Sequence, residues 1–268
     1  MTDNYKNFQI INIIAVVFTI ALNLLANIIP FNGRYTGEVA DSFPNYFTPP
    51  GYVFAIWSVI YILLFVFMFY QAKKDQVNAD YLPKIGYLYL IGAILNVGWL
   101  ILFHYSYGSP SLLIWSEFLI VGFLITLLLI YVRLEIGVKQ VSLKEKLAIH
   151  LPTSVYLGWI SLATIANTAA VLNSNIIIAD DVQILWTALV LIVALVLTTL
   201  MIFLRKDIAY GLVVIWASTG IASKWPGIPL IFYTAIAVAV IVALLILIVP
   251  FIKKKNWVDY YLVRNLEQ

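Results

Sequence analysis

The sequence predicts an all-α integral membrane protein, an eight-helix transmembrane bundle with both chain ends on the cytoplasmic side. Three observations carry this. Of 268 residues, 63% are apolar and 11% charged, with a mean hydropathy of +0.98. A soluble domain is nearer half apolar and a quarter charged, so this chain lacks the polar surface to face water all round. The apolar residues also fall in long runs without alternation. In hydrocarbon only helices and closed barrels satisfy their own backbone, and barrel strands alternate. Finally, the basic residues sort almost wholly to every second connection, as the positive-inside rule requires.

A crossing helix needs about 20 apolar residues. Such runs occupy roughly 8–31, 50–72, 84–105, 110–132, 149–172, 183–204, 207–223 and 228–252. The first follows a lone Lys6, and its length of roughly 24 residues exceeds the h-region of a signal peptide, about 7–15, so it is expected to stay as a span. The seventh is the shortest, roughly 17 residues between Arg205-Lys206-Asp207 and Lys224-Trp225-Pro226-Gly227. Charge decides in its favour. With eight spans and the N-terminus inside, fourteen Lys and Arg lie on the cytoplasmic side, and only Arg34 and Lys224 lie outside. Without the seventh span, Lys253-Lys254-Lys255 would be carried outside.

Most connections are short, so consecutive helices are expected as antiparallel neighbours. The longer outer loop, residues 32–49, holds Asn32-Gly33-Arg34 and ends in Pro49-Pro50-Gly51, a turn-rich stretch followed by an extended entry to the second helix. Beyond the last span, Lys253-Lys254-Lys255, Trp257 and Tyr260-Tyr261 read as an anchor on anionic lipid. The absence of cysteine excludes disulfides, thiolate metal sites and cysteine nucleophiles.

Polar and indole groups inside spans are the informative positions, because lipid offers them no partner. At about 1.5 Å per residue, Asn23, Asn27, Trp57, Asn96, Trp99, Trp115, Glu117, Asn167, Trp186 and Trp216 fall in the outer half, with Trp159 near the middle. Helical spacing puts Pro50, Phe54, Trp57 and Tyr61 on one stripe, Asn96, Trp99 and Phe103 on a second, and Trp159, Ala163, Ala166, Asn167 and Ala170 on a third. Aromatic walls with a few placed polar groups suit a ligand pocket. The plainer reading stands beside it: Trp115 and Trp186 fit an aromatic belt, the asparagines fit interhelical hydrogen bonding, and Glu117 fits snorkelling as well as a wet cavity. His104 at the outer end of the third span reads as a solvated interfacial side chain, and His150 as structural.

Three segments together resemble the TspO/MBR family, the translocator or tryptophan-rich sensory proteins. Pro49-Pro50-Gly51-Tyr52-Val53-Phe54-Ala55-Ile56-Trp57 with Tyr61 is similar to the family's second-helix signature. Leu95-Asn96-Val97-Gly98-Trp99 is similar to its third-helix motif, with Val97 in place of a tryptophan. Tyr156-Leu157-Gly158-Trp159 through Ala163 to Asn167 is similar to its fifth-helix motif. The resemblance implies a TspO-like five-helix unit over 1–175, followed by three additional spans and a basic, aromatic tail over 176–268. It also implies a pocket for a flat apolar ligand (porphyrin-, sterol- or isoprenoid-like), lined by Phe54, Trp57, Tyr61, Asn96, Trp99, Trp159, Ala163 and Asn167 and capped by residues 32–49. No cofactor is obligatory on this reading; a bound tetrapyrrole and a homodimer are compatible with it, and nucleic acid is not.

Four functions compete. A ligand-binding receptor or carrier accounts for the indole faces. A secondary transporter would want a charged or broken-helix site at mid-membrane, and Glu117 is the only carboxylate offered. A tetrapyrrole-degrading enzyme finds no metal triad, nucleophile elbow or phosphate loop in the chain. A helper subunit of a larger membrane complex is the fourth. A short likeness between Val53–Ser58 and Leu212–Ala217 would suit an inverted repeat, which many transporters carry. The basic side fits a plasma membrane best.

Overall fold

The computed structural model describes residues 2–261; Arg264, counted above among the basic residues, lies outside them. Among the described residues seven helices are long and apolar enough to cross a membrane: span 1 (Tyr5–Ile28 of a helix beginning at Thr2), span 2 (Gly51–Gln71), span 3 (Leu88–Ser106), span 4 (Ser111–Arg133), span 5 (Leu143–Asn175), span 6 (Asp180–Arg205) and span 8 (Pro229–Ile252). Span 7, Ile208–Lys224, has 17 residues, about 25 Å at the helical rise. Its ends show that it runs the full depth of the bundle. At one end Asp207 accepts a hydrogen bond from the Tyr131 hydroxyl near the close of span 4 (2.9 Å); at the other, Lys224 pairs with Asp41 of the 32–49 loop (3.1 Å). The chain is an integral multi-pass membrane protein.

Local chemistry sets the boundaries. Span 1 stops at Ile28, three residues short of the apolar run, because Pro30 brings no amide and Asn32 takes a left-handed conformation (φ 55°). Gly86 (φ 54°) separates a short helix, Tyr81–Ile85, from span 3. Ser142 caps the lengthened start of span 5 by accepting from the Glu145 amide, and Asp207 caps span 7 by accepting from the Tyr210 amide (3.0 Å). The 32–49 loop is more ordered than its glycines suggest. It carries a helix, Thr36–Asp41, whose entry is held by the Glu38 carboxylate accepting from the Tyr35 amide (2.9 Å).

Helix neighbours depart from the expectation of consecutive pairs at two places. Span 1 packs against spans 2 and 3, span 3 against span 4, span 4 against span 5, and span 5 back against span 2. The first five spans thus form a ring in the order 2-1-3-4-5. Spans 2 and 3 sit on either side of span 1 because their connection is long enough to carry Tyr81–Ile85 across beneath it. Spans 5 and 6 also part company. Span 6 packs on spans 7 and 8, and span 7 joins this group to span 5 and to the start of span 2.

Polar pairs inside the ring fix its rotation. Gln9 donates to the Gln71 carbonyl, Gln71 returns a bond to the Gln9 carbonyl (3.1 Å), and Asn23 donates to Asn96 (2.7 Å). The interhelical reading of Asn23 and Asn96 therefore holds.

The basic residues gather at the end opposite the 32–49 loop, hereafter the basic end. There Asp207 is buried, and that burial pushes its carboxyl above the usual range. The tail differs from the lipid anchor expected of it. After Lys254 (φ 52°) the short helix Trp257–Tyr261 turns back, and Tyr260 and Tyr261 are buried under the bundle rather than presented to headgroups. Lys146 donates to the Tyr261 carbonyl and Lys206 lies over the Tyr260 ring (5.2 Å).

Candidate ligand site

Pro50 leads into a tight helical turn, Gly51–Ala55, before span 2 proper. That turn aims Phe54 and Trp57 into the ring at the loop end. Trp57 is the hub. Its ring stacks on Trp99 (centroids 6.3 Å) and on Tyr61 (5.8 Å), and meets Trp159 edge-on (6.2 Å). Trp99 stacks in turn on Phe103 (5.3 Å), and Phe54 stands edge-on to Trp159 (5.7 Å). Each such pair adds about 0.5–1.5 kcal/mol beyond its buried area, so the cluster is rigid as well as apolar.

These rings surround a small cavity of about 50 Å³, reached by Phe54, Trp57, Trp99, Trp159, Ala163 and Asn167 of the expected site. The other two expected residues lie outside its lining. Tyr61 stacks on Trp57 without reaching the cavity, and Asn96 is fully buried against Asn23. Sequence reasoning missed part of the wall. Phe47 comes from the loop, and Ala217 and Ile221 come from span 7, so the last three spans contribute directly to the cavity. Small and aliphatic side chains carry no motif that would have revealed them.

Asn167 is the polar centre. Its amide nitrogen donates to Glu117 (2.7 Å), and its oxygen accepts from the Trp99 indole and the Ser116 hydroxyl (3.4 Å each). Glu117 also accepts from Thr168 (2.6 Å). The carboxylate therefore neither snorkels free nor faces an open cavity: it orients the amide that orients Trp99. In contrast, the buried Trp159 indole nitrogen and the Asn96 amide nitrogen have no partner among the described residues.

The loop above the cavity is fastened at several points. His104, expected to be solvated, is buried; one ring nitrogen bonds the Leu100 carbonyl (2.8 Å) and the other meets the Thr36 hydroxyl (3.3 Å). Asn45 closes the turn beneath it by accepting from the amides of Phe47 (3.0 Å) and Thr48 (2.8 Å). Span 7 holds the other flank. The Trp216 indole donates to the Val53 carbonyl (2.9 Å), Tyr52 and Ser223 share a hydrogen bond (2.9 Å), and Trp225 packs on Tyr46 (4.8 Å). Burial, and then the Asp180 carboxylate, push the Tyr46 phenol above its ordinary value. The two segments likened above, Val53–Ser58 and Leu212–Ala217, thus meet through Trp216 and Val53.

Gly220 allows this close approach, since a Cβ there would lie 2.4 Å from a methyl of Val53. Gly220→Ala is expected to cost about 1–3 kcal/mol by overpacking, read as a lower inactivation temperature in detergent. Val53→Ala in the same chain should restore part of it. No loss in the single variant, or no recovery in the double, would show that the seam is loose.

An eight-helix membrane bundle with a buried tryptophan cluster beneath a fastened loop is the class of protein that fold and site define together. The chain belongs to the TSPO-like protein family, which it matches over residues 9–248, from span 1 into span 8. Membership marks it as a membrane-bound ligand-binding or transport protein. No curated protein and no solved structure matches it significantly.

Proposed function

We propose that the protein is a membrane receptor or carrier that binds a flat apolar ligand, porphyrin-, sterol- or isoprenoid-like, among Trp57, Trp99 and Trp159. The observation that carries this reading is the convergence of three buried indoles from three spans on one cavity, where the Trp159 nitrogen is left as an unpaired donor. An unpaired buried donor costs about 1–3 kcal/mol, a cost that a ligand carbonyl, carboxylate or ring nitrogen would remove. Asn167 and Glu117 fix the Trp99 ring that forms one wall. At about 50 Å³ the cavity is small, well below the roughly 300–1,000 Å³ of occupied ligand sites. Binding on this reading displaces Phe47 and lifts the loop.

The proposed orientation puts the loop end outside a plasma membrane and both chain ends inside. It is supported by Arg34 and Lys224 being, among the described residues, the only basic ones at the loop end.

The test is a titration of purified protein with protoporphyrin IX, following quenching of tryptophan emission in the wild type, Trp57→Phe and Trp159→Phe. Saturable quenching is expected, with affinity about three- to tenfold weaker in each variant from the loss of one indole contact. Quenching that rises without saturation, or that both variants leave unchanged, would reduce the signal to partition into the micelle and end the porphyrin reading.

A further inference from the structure

A space larger than the tryptophan cavity lies outside it. Spans 5 and 6 are consecutive, joined through Ile176–Ala179, yet they diverge instead of packing, and span 6 leans on spans 7 and 8. Between them at the loop end is a groove of about 590 Å³. Its long walls are apolar, with Ile165, Ala169 and Leu172 from span 5 and Trp186, Val190 and Val193 from span 6. Leu172, Trp186 and Val193 are exposed, so the groove opens towards the membrane.

One end of the groove is polar without being charged. Asn173 donates to Gln183 (2.6 Å) and to the Pro44 carbonyl (3.1 Å), and Gln183 donates to the Ile178 carbonyl (2.8 Å). Asn45 lies at the same end. Among the described residues no Lys, Arg, Asp or Glu lines the space, and the nearest charges are carboxylates one residue behind it, Asp180 beside Tyr46 and Glu117 on the Thr168 hydroxyl. An anionic headgroup would find no cation here and would face those carboxylates, whereas a hydroxyl or carbonyl would find amides. The groove is also contiguous with the central site, because Phe47 lines both spaces. On the opposite flank the loop is closed by Trp216, Ser223, Lys224 and Trp225, which leaves the span 5–6 side as the open approach.

We propose that this groove is a second, lateral binding site, which takes from the membrane a molecule with one long apolar chain ending in an uncharged hydrogen-bonding group, of the long-chain or isoprenoid alcohol class. The chain lies along spans 5 and 6 with its polar end at the Asn173–Gln183 amides, and Phe47 separates it from the tryptophan cavity. The volume is within the range of occupied ligand sites, about 300–1,000 Å³. Only the onward path of such a molecule, past Phe47, rests on the reading of the central cavity; occupancy of the groove does not.

The experiment uses the full chain in phosphatidylcholine nanodiscs with a diazirine-bearing hexadecanol, photolysed and mapped by mass spectrometry. A diazirine-bearing phosphatidylcholine serves as the comparison. Saturable labelling on Leu172, Val190 or their neighbours is expected, reduced at least tenfold by excess unlabelled hexadecanol. It should be lost in Ala169→Trp and in Val190→Trp, two independent ways of filling the groove, and kept in Trp57→Phe. Equal labelling by the phosphatidylcholine probe, without competition by the alcohol, would mean that bulk lipid fills the groove and would overturn the proposal. So would labelling confined to the central cavity, which would leave the receptor reading intact. Failure of protoporphyrin IX to bind, with groove labelling preserved, would end that reading and leave this one standing.

Discussion

Gly137→Ala is expected to be among the most damaging single-methyl additions in the chain, at roughly 3–5 kcal/mol. Gly137 lies between spans 4 and 5 with φ 79°, in the left-handed region that side chains avoid. A Cβ at that position would stand 1.6 Å from the Arg205 carbonyl oxygen and 2.5 Å from its carbon. The obstacle is the backbone at the end of span 6, which no rotamer change removes. Arg205 is itself held there by its guanidinium over the Tyr131 ring (5.8 Å). Gly108 supplies the control, because its φ is 81° with nothing within 4 Å of a built Cβ. Gly108→Ala should cost only the left-handed strain, about 1–2 kcal/mol. The two variants would be heated in detergent and the surviving monodisperse fraction measured by gel filtration. Gly137→Ala should lose about 10 °C or more in midpoint, and Gly108→Ala a small part of that. Equal shifts would show that the span 6 end moves freely away from the span 4–5 connection.

That contact joins parts of the chain that periodicity could not connect. Apolar run length located all eight spans, and the asymmetry of Lys and Arg argued for the shortest one, whose full traverse Asp207 and Lys224 now mark. Helical spacing gave the right faces as well: Phe54 and Trp57 do share one, as do Trp99 and Phe103. Spacing describes one helix at a time, however, and is silent on which face meets which. The ring order 2-1-3-4-5 and the parting of spans 5 and 6 follow from loop reach and packing volume. Neither leaves a mark in a hydropathy pattern. Tyr61 shows the limit within a single stripe. It is one turn from Trp57 on the same face and stacks on its ring, yet it does not reach the cavity. Asn96 was legible as a buried amide but not as the partner of Asn23. Ala217 and Ile221 could not have been chosen from sequence, since alanine and isoleucine are the commonest furniture of a span. Phe47 stood in the loop without a helical register to aim it. The tail misled because Tyr260-Tyr261 beside three lysines has the composition of an interfacial anchor, and only the turn at Lys254 sends the rings inward.

Asn167→Ala should produce the largest combined loss of stability and binding. The residue is 4% exposed and holds Glu117, Ser116 and Trp99 at once. Alanine removes the amide without replacing any of these bonds. Trp99 then loses its acceptor, and Glu117 keeps Thr168 alone. A buried group left without its partner costs about 1–3 kcal/mol, more when it is charged, and the half-buried position of Glu117 argues for the lower part of that range. Binding should weaken further than in a simple contact variant, because the Trp99 ring stacked on Trp57 is no longer oriented. The cause can be separated by a cycle. If the cost lies in the stranded carboxylate, Glu117→Gln should be mild alone and should recover part of the Asn167→Ala loss in the double variant, a coupling of about 0.5–3 kcal/mol. If the cost lies in the Trp99 bond, Glu117→Gln should leave the Asn167→Ala defect as it was, in both midpoint temperature and protoporphyrin IX quenching. Full additivity with intact ligand affinity would remove Asn167 from the site altogether. A loss of transport activity in Glu117→Gln alone, with binding preserved, would instead give the carboxylate a transport role that its two hydrogen bonds do not by themselves suggest.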